Sequence, residues 1–204
     1  MPSDLAVRCT CGALRGVVRD VSPGRGNHVV CYCDDCQSFA HFLDRAGEVL
    51  DEYGGTDIFQ MSPAQLAIAD GADRLACVRL TPSGLLRWYA ACCRMPIGNT
   101  LATRQVPFVG LVVGCIDDAA RGDVLGPIRA RGHARFAKGN PADAHPSFPA
   151  PVIARVFWIA AAARLRGDHR RSPFFDAGTG APVAPPRVLT PDELAAVRAR
   201  GGLG

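Results

Sequence analysis

The residues best suited to chemistry in this chain are its cysteines. Nine are present, at positions 9, 11, 31, 33, 36, 77, 92, 93 and 115. An odd number, without the apolar, basic start of an export signal, argues against a disulfide framework. Seven of them fall into tight groups: Cys9-Thr10-Cys11, Cys31-Tyr32-Cys33-Asp34-Asp35-Cys36 and Cys92-Cys93. Close-spaced thiols in a reducing compartment serve as metal ligands or catalytic groups. Two cysteines one residue apart on a strand project from the same face, which suits two bonds to one ion. Cys33 and Cys36 have the C-x-x-C spacing that lets a turn or helix start wrap a metal. Cys31, Cys33 and Cys36 thus form a tridentate set, whereas zinc takes four tetrahedral ligands. Either a distant cysteine or histidine closes this set into a structural site, or the fourth position stays open, as in a catalytic one. A thioredoxin-like redox pair is a third reading, but it leaves Cys31 without a role.

Cys9 and Cys11 supply half of another tetrahedron, and Cys92-Cys93 is the natural source of the rest. A closed site of that kind is a staple that contributes to folding rather than to chemistry. Adjacent cysteines reach one ion together only through a kinked backbone, so one of the pair has reason to point elsewhere. Cys77 and Cys115 lie in apolar, strand-like runs and read as small core residues.

The elements that position these groups read as short strands over residues 5–115: 6–11, 14–19, 28–33, 66–69, 75–81, 84–91 and 108–114. Thr81-Pro82-Ser83-Gly84 carries hairpin turn residues. Asp34 is placed to N-cap a short helix through Asp44, with Cys36 in its first turn, where the helix dipole favours thiolate. Gly122–Pro151 reads as loops with a short strand or two. Val152, Ile153, Val156, Phe157, Ile159 and Ala160 suit an amphipathic helix over 152–166. The proline-rich stretch 172–187 is an extended strap. Thr190 and Glu193 form a capping box, Pro191 takes the first helical position, and Gly201 ends the last helix. The expected fold is therefore mainly β, of short antiparallel strands with a few helices, the longest near the C-terminus.

A chain of 204 residues fits one domain with an appendage. The division expected is 1–120 for the β body and 121–204 for a loop and helix extension packed on it. With 23 basic and 19 acidic residues the net charge is +4, and Lys138 is the sole lysine. An arginine bias beside abundant Ala, Gly and Pro reflects GC-rich coding, and the charge names no partner, nucleic acid included. The longest apolar run, Val156–Ala163, is too short to span a bilayer, which takes about 20 residues. A cytoplasmic protein with no membrane partner is the expectation.

The motifs resemble the glutathione-dependent formaldehyde-activating (Gfa-like) family. Its pattern runs C-x-C-G, then C-x-C-x-x-C opening a helix, then C-x-x-C-G-x-x-L. Here the motifs read Cys9-Thr10-Cys11-Gly12, then Cys31 to Gln37, then Ala90-Ala91-Cys92-Cys93-Arg94-Met95-Pro96-Ile97. The resemblance covers roughly residues 5–115. It implies a β-tent zinc-binding fold and a carbon–sulfur lyase acting on S-hydroxymethylglutathione. By position it assigns Cys9, Cys11 and the third motif to a structural zinc, and Cys31, Cys33 and Cys36 to a catalytic one. The third motif departs from the pattern, with Ala90 where the first cysteine should stand and Arg94 in place of glycine. Either Cys92 substitutes from a shifted position, or that site has three ligands or no metal.

The function expected is thus a zinc-dependent lyase on a glutathione or related thiol adduct, with Asp34 and His41 as candidate acid–base residues. Asp35 is a further candidate, and Tyr53-Gly54-Gly55-Thr56 lines a groove or forms a plain turn. His133 and His145 are outside candidates for a metal ligand. The alternative is a non-catalytic, zinc-stabilised binding module for protein or nucleic acid. Its surface would be Arg129, Arg131 and Arg135, whose even spacing suits one face of a strand.

Overall fold

The computed structural model describes residues 2–117, 119 and 121–203. It holds eleven strands in chain order: β1 Ser3–Arg8, β2 Arg15–Val21, β3 Asn27–Cys31, β4 Thr56–Met61, β5 Leu66–Asp70, β6 Leu75–Arg79, β7 Leu86–Ala90, β8 Met95–Thr100, β9 Val109–Val112, β10 Ala130–Gly132 and β11 Arg187–Val188. The helices are α1 Asp34–Phe42, α2 Ala46–Val49, α3 Arg121–Leu125, α4 Ala150–Leu165 and α5 Pro191–Gly201. The protein is mainly β, and its two longest helices, α4 and α5, lie near the C-terminus.

Two sheets carry the fold. One has the order β1-β2-β5; the other has the order β10-β3-β4-β9-β8-β7-β6-β11. All pairings are antiparallel except those of the two edge strands, β10 on β3 and β11 on β6. Both edges of the large sheet are therefore closed by segments beyond residue 120, which cover backbone groups that would otherwise be open to pairing.

Side-chain alternation divides the interior. Phe59, Leu86, Trp88, Ile97 and Leu111 face the small sheet and pack with Leu5, Val7 and Val18. The Trp88 indole stacks 5.0 Å from Phe174, so the proline-rich strap lies against the deepest part of this core. The opposite face of the large sheet takes the helices. Phe39 of α1 and Leu43 just after it pack with Val78, Leu80 and Leu189, while Val152 of α4 joins Val29, Ile58, Cys31 and Cys36. α5 keeps its capping box between Thr190 and Glu193.

Three local expectations change. α1 is capped by Cys33, whose sulfur accepts the Cys36 amide, and not by Asp34. The spacing misled because a cysteine sulfur in a C-x-x-C turn does the capping oxygen's work. β4 and β8 were not expected; their Gln60, Asn99 and Pro96 break the apolar pattern that marks strands. Arg129, Arg131 and Arg135 do not share a strand face. Only Arg131 lies in β10, while Arg129 precedes it and Arg135 sits in a 3-10 turn.

Candidate functional site

All nine cysteines are free. The seven clustered ones meet in two groups, Cys9 with Cys11, Cys92 and Cys93, and Cys31 with Cys33 and Cys36. Within each group the sulfurs lie within 4.8 Å of one another.

The four-sulfur group is built from two turns. Cys9 directly follows β1, and the Cys9–Gly12 turn closes with Gly12 in the left-handed region (φ 75°) and the Leu14 amide donating to the Cys9 sulfur at 3.3 Å. The second turn, Ala91–Arg94, joins β7 to β8 and supplies the kink that adjacent cysteines need. Arg94 adopts φ 60° where the resembling pattern has glycine. A left-handed arginine carries a cost of about 1 kcal/mol or more. Its side chain offsets that cost by donating to the Leu43 and Phe42 carbonyls at the end of α1 and by pairing with Asp44. Sulfur separations of 3.5 Å (Cys9–Cys11), 3.7 Å (Cys9–Cys92) and 3.4 Å (Cys11–Cys92) match a tetrahedral donor set. Two sulfurs each 2.3 Å from zinc would lie about 3.8 Å apart. With Ala90 offering no sulfur, Cys92 brings the group to four donors together with Cys9, Cys11 and Cys93. Burial opposes ionisation of Cys93, yet the Cys11 and Met95 amides and the Thr10 hydroxyl pull its thiol down to about 6. Cys92 is pushed up to about 12 by burial and by its sulfur neighbours.

The three-sulfur group sits where β3 runs into α1, against α4 and the helix-covered face of the large sheet. Cys31 and Cys33 share a face, with their sulfurs 3.4 Å apart. Cys31 and Cys36 are buried, and Cys33 is partly open. Among the described residues no histidine, aspartate, glutamate or fourth cysteine completes the set. Hydrogen bonds from Cys31 and Cys33, then the charge of Arg87, hold the Cys36 thiol well below its ordinary value. The same sharing, with burial, pushes Cys31 well above it. Of the three thiols, Cys36, in the first turn of α1, is thus the one these contacts favour as thiolate.

Arg87 belongs to the three-sulfur group's surroundings, and the sequence reading missed it. Its guanidinium is 2% exposed, lies 4.0 Å from the Cys36 sulfur, and donates to Asp35 and Asn99 at 3.3 Å each. The available signal was an arginine inside the apolar strand Leu86–Ala90. Gln37 was missed too. Buried, it donates to the Tyr32 and Phe136 carbonyls and fixes the start of α1.

Asp34 pairs with Arg198 of α5 at 3.0 Å and lines a cavity of about 490 Å³ with Arg135, Lys138 and Arg198. His41 lies further along α1, its Nε2 buried without a partner and close under Gly201. Burial, then Lys138 and Arg200, push its imidazole below the ordinary value. Residues 53–55 lie in a turn that leads into β4 at Thr56, with the Tyr53 and Gly55 amides bonded to the Asp51 carboxylate. A side chain at Gly54 would meet Gln37 at 2.6 Å. His133 caps a 3-10 turn and packs edge-on to Phe148, and neither it nor His145 joins a cysteine group. Cys77 and Cys115 are buried in the core, and burial pushes each to about 12.

His28 was also missed. Its Nδ1 bonds the Gly126 carbonyl at 2.6 Å and its Nε2 the Asp57 carboxylate at 2.8 Å. Both partners only accept, so the imidazolium fits, and these contacts outweigh burial to raise the pKa above 6.5. A raised folded-state pKa gives stability that is complete below the unfolded value and fades as pH rises through the folded one. Denaturant midpoints measured from about pH 6 to about pH 9 should fall across that window. His28→Gln should flatten the fall.

Among the described residues no helix is long and apolar enough to cross a membrane. No curated protein matches the chain. A crystal structure of a Rhodobacter sphaeroides protein, a structural genomics target, shares 18% identity, covering 61% of this chain and 97% of that one, with a TM-score of 0.42. Residues 1–185 match the family of unknown function DUF6151, and the chain belongs to that family.

Proposed function

We propose that the protein is a zinc-dependent carbon–sulfur lyase, or a closely related enzyme, acting on a glutathione-type thiol adduct. The observation that carries this reading is the asymmetry between the clusters. One offers four sulfurs, and the other offers three with no fourth ligand among the described residues. Zinc held by Cys31, Cys33 and Cys36 would supply a lowered pKa for a thiol entering the position those cysteines leave free. The four-sulfur group would hold a structural zinc.

The chain's own groups fit the remaining tasks. The cavity beginning at Asp34 presents Arg135, Lys138 and Arg198, suited to the carboxylates of a tripeptide thiol. In the addition direction the sulfur pair attacks the formaldehyde carbon and the carbonyl π pair moves to oxygen. The thiol proton ends on the new hydroxyl. In the lyase direction that proton leaves the hydroxyl as the carbon–sulfur bond breaks. Asp34, next to Cys33 and on the cavity wall, is the residue proposed to carry the proton. His41 is the second candidate, although its Nε2 is turned under α5.

The alternative of a zinc-stabilised binding module draws on the closed four-sulfur group, which has no position to spare. Metal analysis separates the two. The purified protein should carry two zinc ions per chain, and Cys33→Ser should retain one and lose hydroxymethyl-thiol turnover to background. Two zincs without turnover on any formaldehyde–thiol adduct would favour the binding module. A single zinc that survives the substitution would remove the proposed catalytic site.

A further inference from the structure

The apolar residues of α4 encircle the helix instead of forming one stripe. Val152, Ile159, Ala160 and Ala163 are buried, yet Ile153, Phe157, Trp158 and Leu165 are 43%, 71%, 72% and 89% exposed. At about 100° per residue, the four exposed side chains fall within an arc of about 140° opposite the buried one. A helix that is apolar on both faces has a second partner to meet.

Charge indicates what kind. Arg164, Arg166, Arg170 and Arg171 flank the C-terminal end of this face. Beside Trp158 a cleft of about 430 Å³ opens between α4 and the β2–β3 turn, lined by Arg19, Arg25, Arg166 and Arg171. Two of these are held in place from below. The buried Asp168 accepts from Ser62 at 2.9 Å and from Arg166 at 3.0 Å, and it also pairs with Arg171. The other carboxylate in the cleft, Asp20, pairs with Arg25 at 2.9 Å. Arg129 and Arg155 hold the Pro23–Gly26 turn through its carbonyls and add to the positive field.

We propose that α4 docks on an anionic phospholipid surface, with Phe157, Trp158 and Leu165 entering the headgroup–acyl boundary and the arginine cleft receiving lipid phosphate. An apolar face rimmed by arginines on a helix about 24 Å long, lying in the plane of the interface, is the form such contacts take. A second copy of the chain would bring the same arginines against each other. Nucleic acid would use the two aromatics but would leave Ile153 and Leu165 without stacking partners. This inference is independent of the lyase reading.

The chain's two tryptophans make the test direct, because Trp88 is fully buried and only Trp158 is open to solvent. The full-length protein is titrated with vesicles of phosphatidylcholine alone and of phosphatidylcholine with phosphatidylglycerol. Tryptophan emission should shift to the blue and lose iodide quenching with the anionic vesicles only, and added salt should weaken the effect. Phe157→Ser with Leu165→Ser should weaken binding at least about tenfold. Arg25→Gln and Arg170→Gln should each weaken it about fivefold. All four positions are exposed, and unchanged far-ultraviolet circular dichroism would show the variants folded. Absence of a shift, or equal shifts with both vesicle types, overturns the proposal. So does a shift produced by a single-stranded oligonucleotide in place of vesicles, or burial of Trp158 in a concentration-dependent dimer.

Discussion

Cys9→Ser is expected to empty both cysteine groups, whereas Cys33→Ser empties only one. Cys9 is fully buried just after β1 and lies 3.5 Å and 3.7 Å from the sulfurs of Cys11 and Cys92. With zinc in place, these contacts staple the first strand to the β7–β8 turn across more than 80 residues of chain. Structural zinc sites return about 10 kcal/mol or more of binding energy as folding energy. Losing even half of that equals the whole stability of a domain at the low end of the usual range, about 5 kcal/mol. The damage should also reach the three-sulfur group. Arg45 donates to the Cys93 carbonyl at 2.6 Å, and Arg94 donates to the last carbonyls of α1. The turn carrying Cys92 and Cys93 thus anchors the far end of the helix whose first turn presents Cys36. Zinc content and thermal melting of Cys9→Ser and Cys33→Ser, measured side by side, check this. The first should lose more than one equivalent of metal and melt far lower; the second should lose one and melt close to the parent. Equal losses in the two variants would show the groups to be uncoupled.

Much of this was legible because cysteine spacing is a strong local signal. The C-x-C and C-x-x-C spacings named both clusters, and the capping residues of α5 marked its limits. What was not legible depended on contacts distant in sequence. No local rule places Arg87 against Cys36, because the strand carrying it pairs through β8, β9 and β4 before reaching the β3–α1 junction. His28 finds both its partners across the chain, at Asp57 and Gly126. The amphipathic reading of α4 chose the right helix but could not tell that Phe157 would be exposed while Ala163 is buried. An all-round apolar helix has no preferred face until its neighbours are in place. Arg94 shows the reverse case, in which an apparent departure from a motif is absorbed: arginine takes the backbone conformation of glycine and is held there by its side chain.

Arg87→Met should lower stability and loosen metal in the three-sulfur group together, although methionine fills much of the same space. Three thiolates around a divalent ion leave one net negative charge in a buried setting. The guanidinium 4.0 Å from the Cys36 sulfur is placed to neutralise it. At that separation an effective dielectric near 20 gives an attraction of about 4 kcal/mol. Burial works against the charged guanidinium, but the attraction of Cys36 and Asp35 outweighs it and raises the Arg87 pKa. Methionine would also leave the Asn99 oxygen without its donor, a cost of about 1–3 kcal/mol. Together these predict a loss of about 3 kcal/mol, the scale for removing one partner of a buried pair. Metal affinity should weaken about 10–100-fold, as for other residues that support a ligand set. Arg87→Lys separates charge from shape. Its ammonium keeps the charge but lacks the planar fork that serves Asn99 and Asp35 at once, so it should recover metal affinity better than stability. Asp35→Asn should change stability by less than about 1 kcal/mol, because that carboxylate is one-third exposed. Denaturant titration of the three variants, with chelator competition for zinc, decides the matter. If Arg87→Met unfolds more easily yet holds zinc as tightly as the parent, Arg87 is a packing residue, and the charge of the thiolate group is balanced elsewhere.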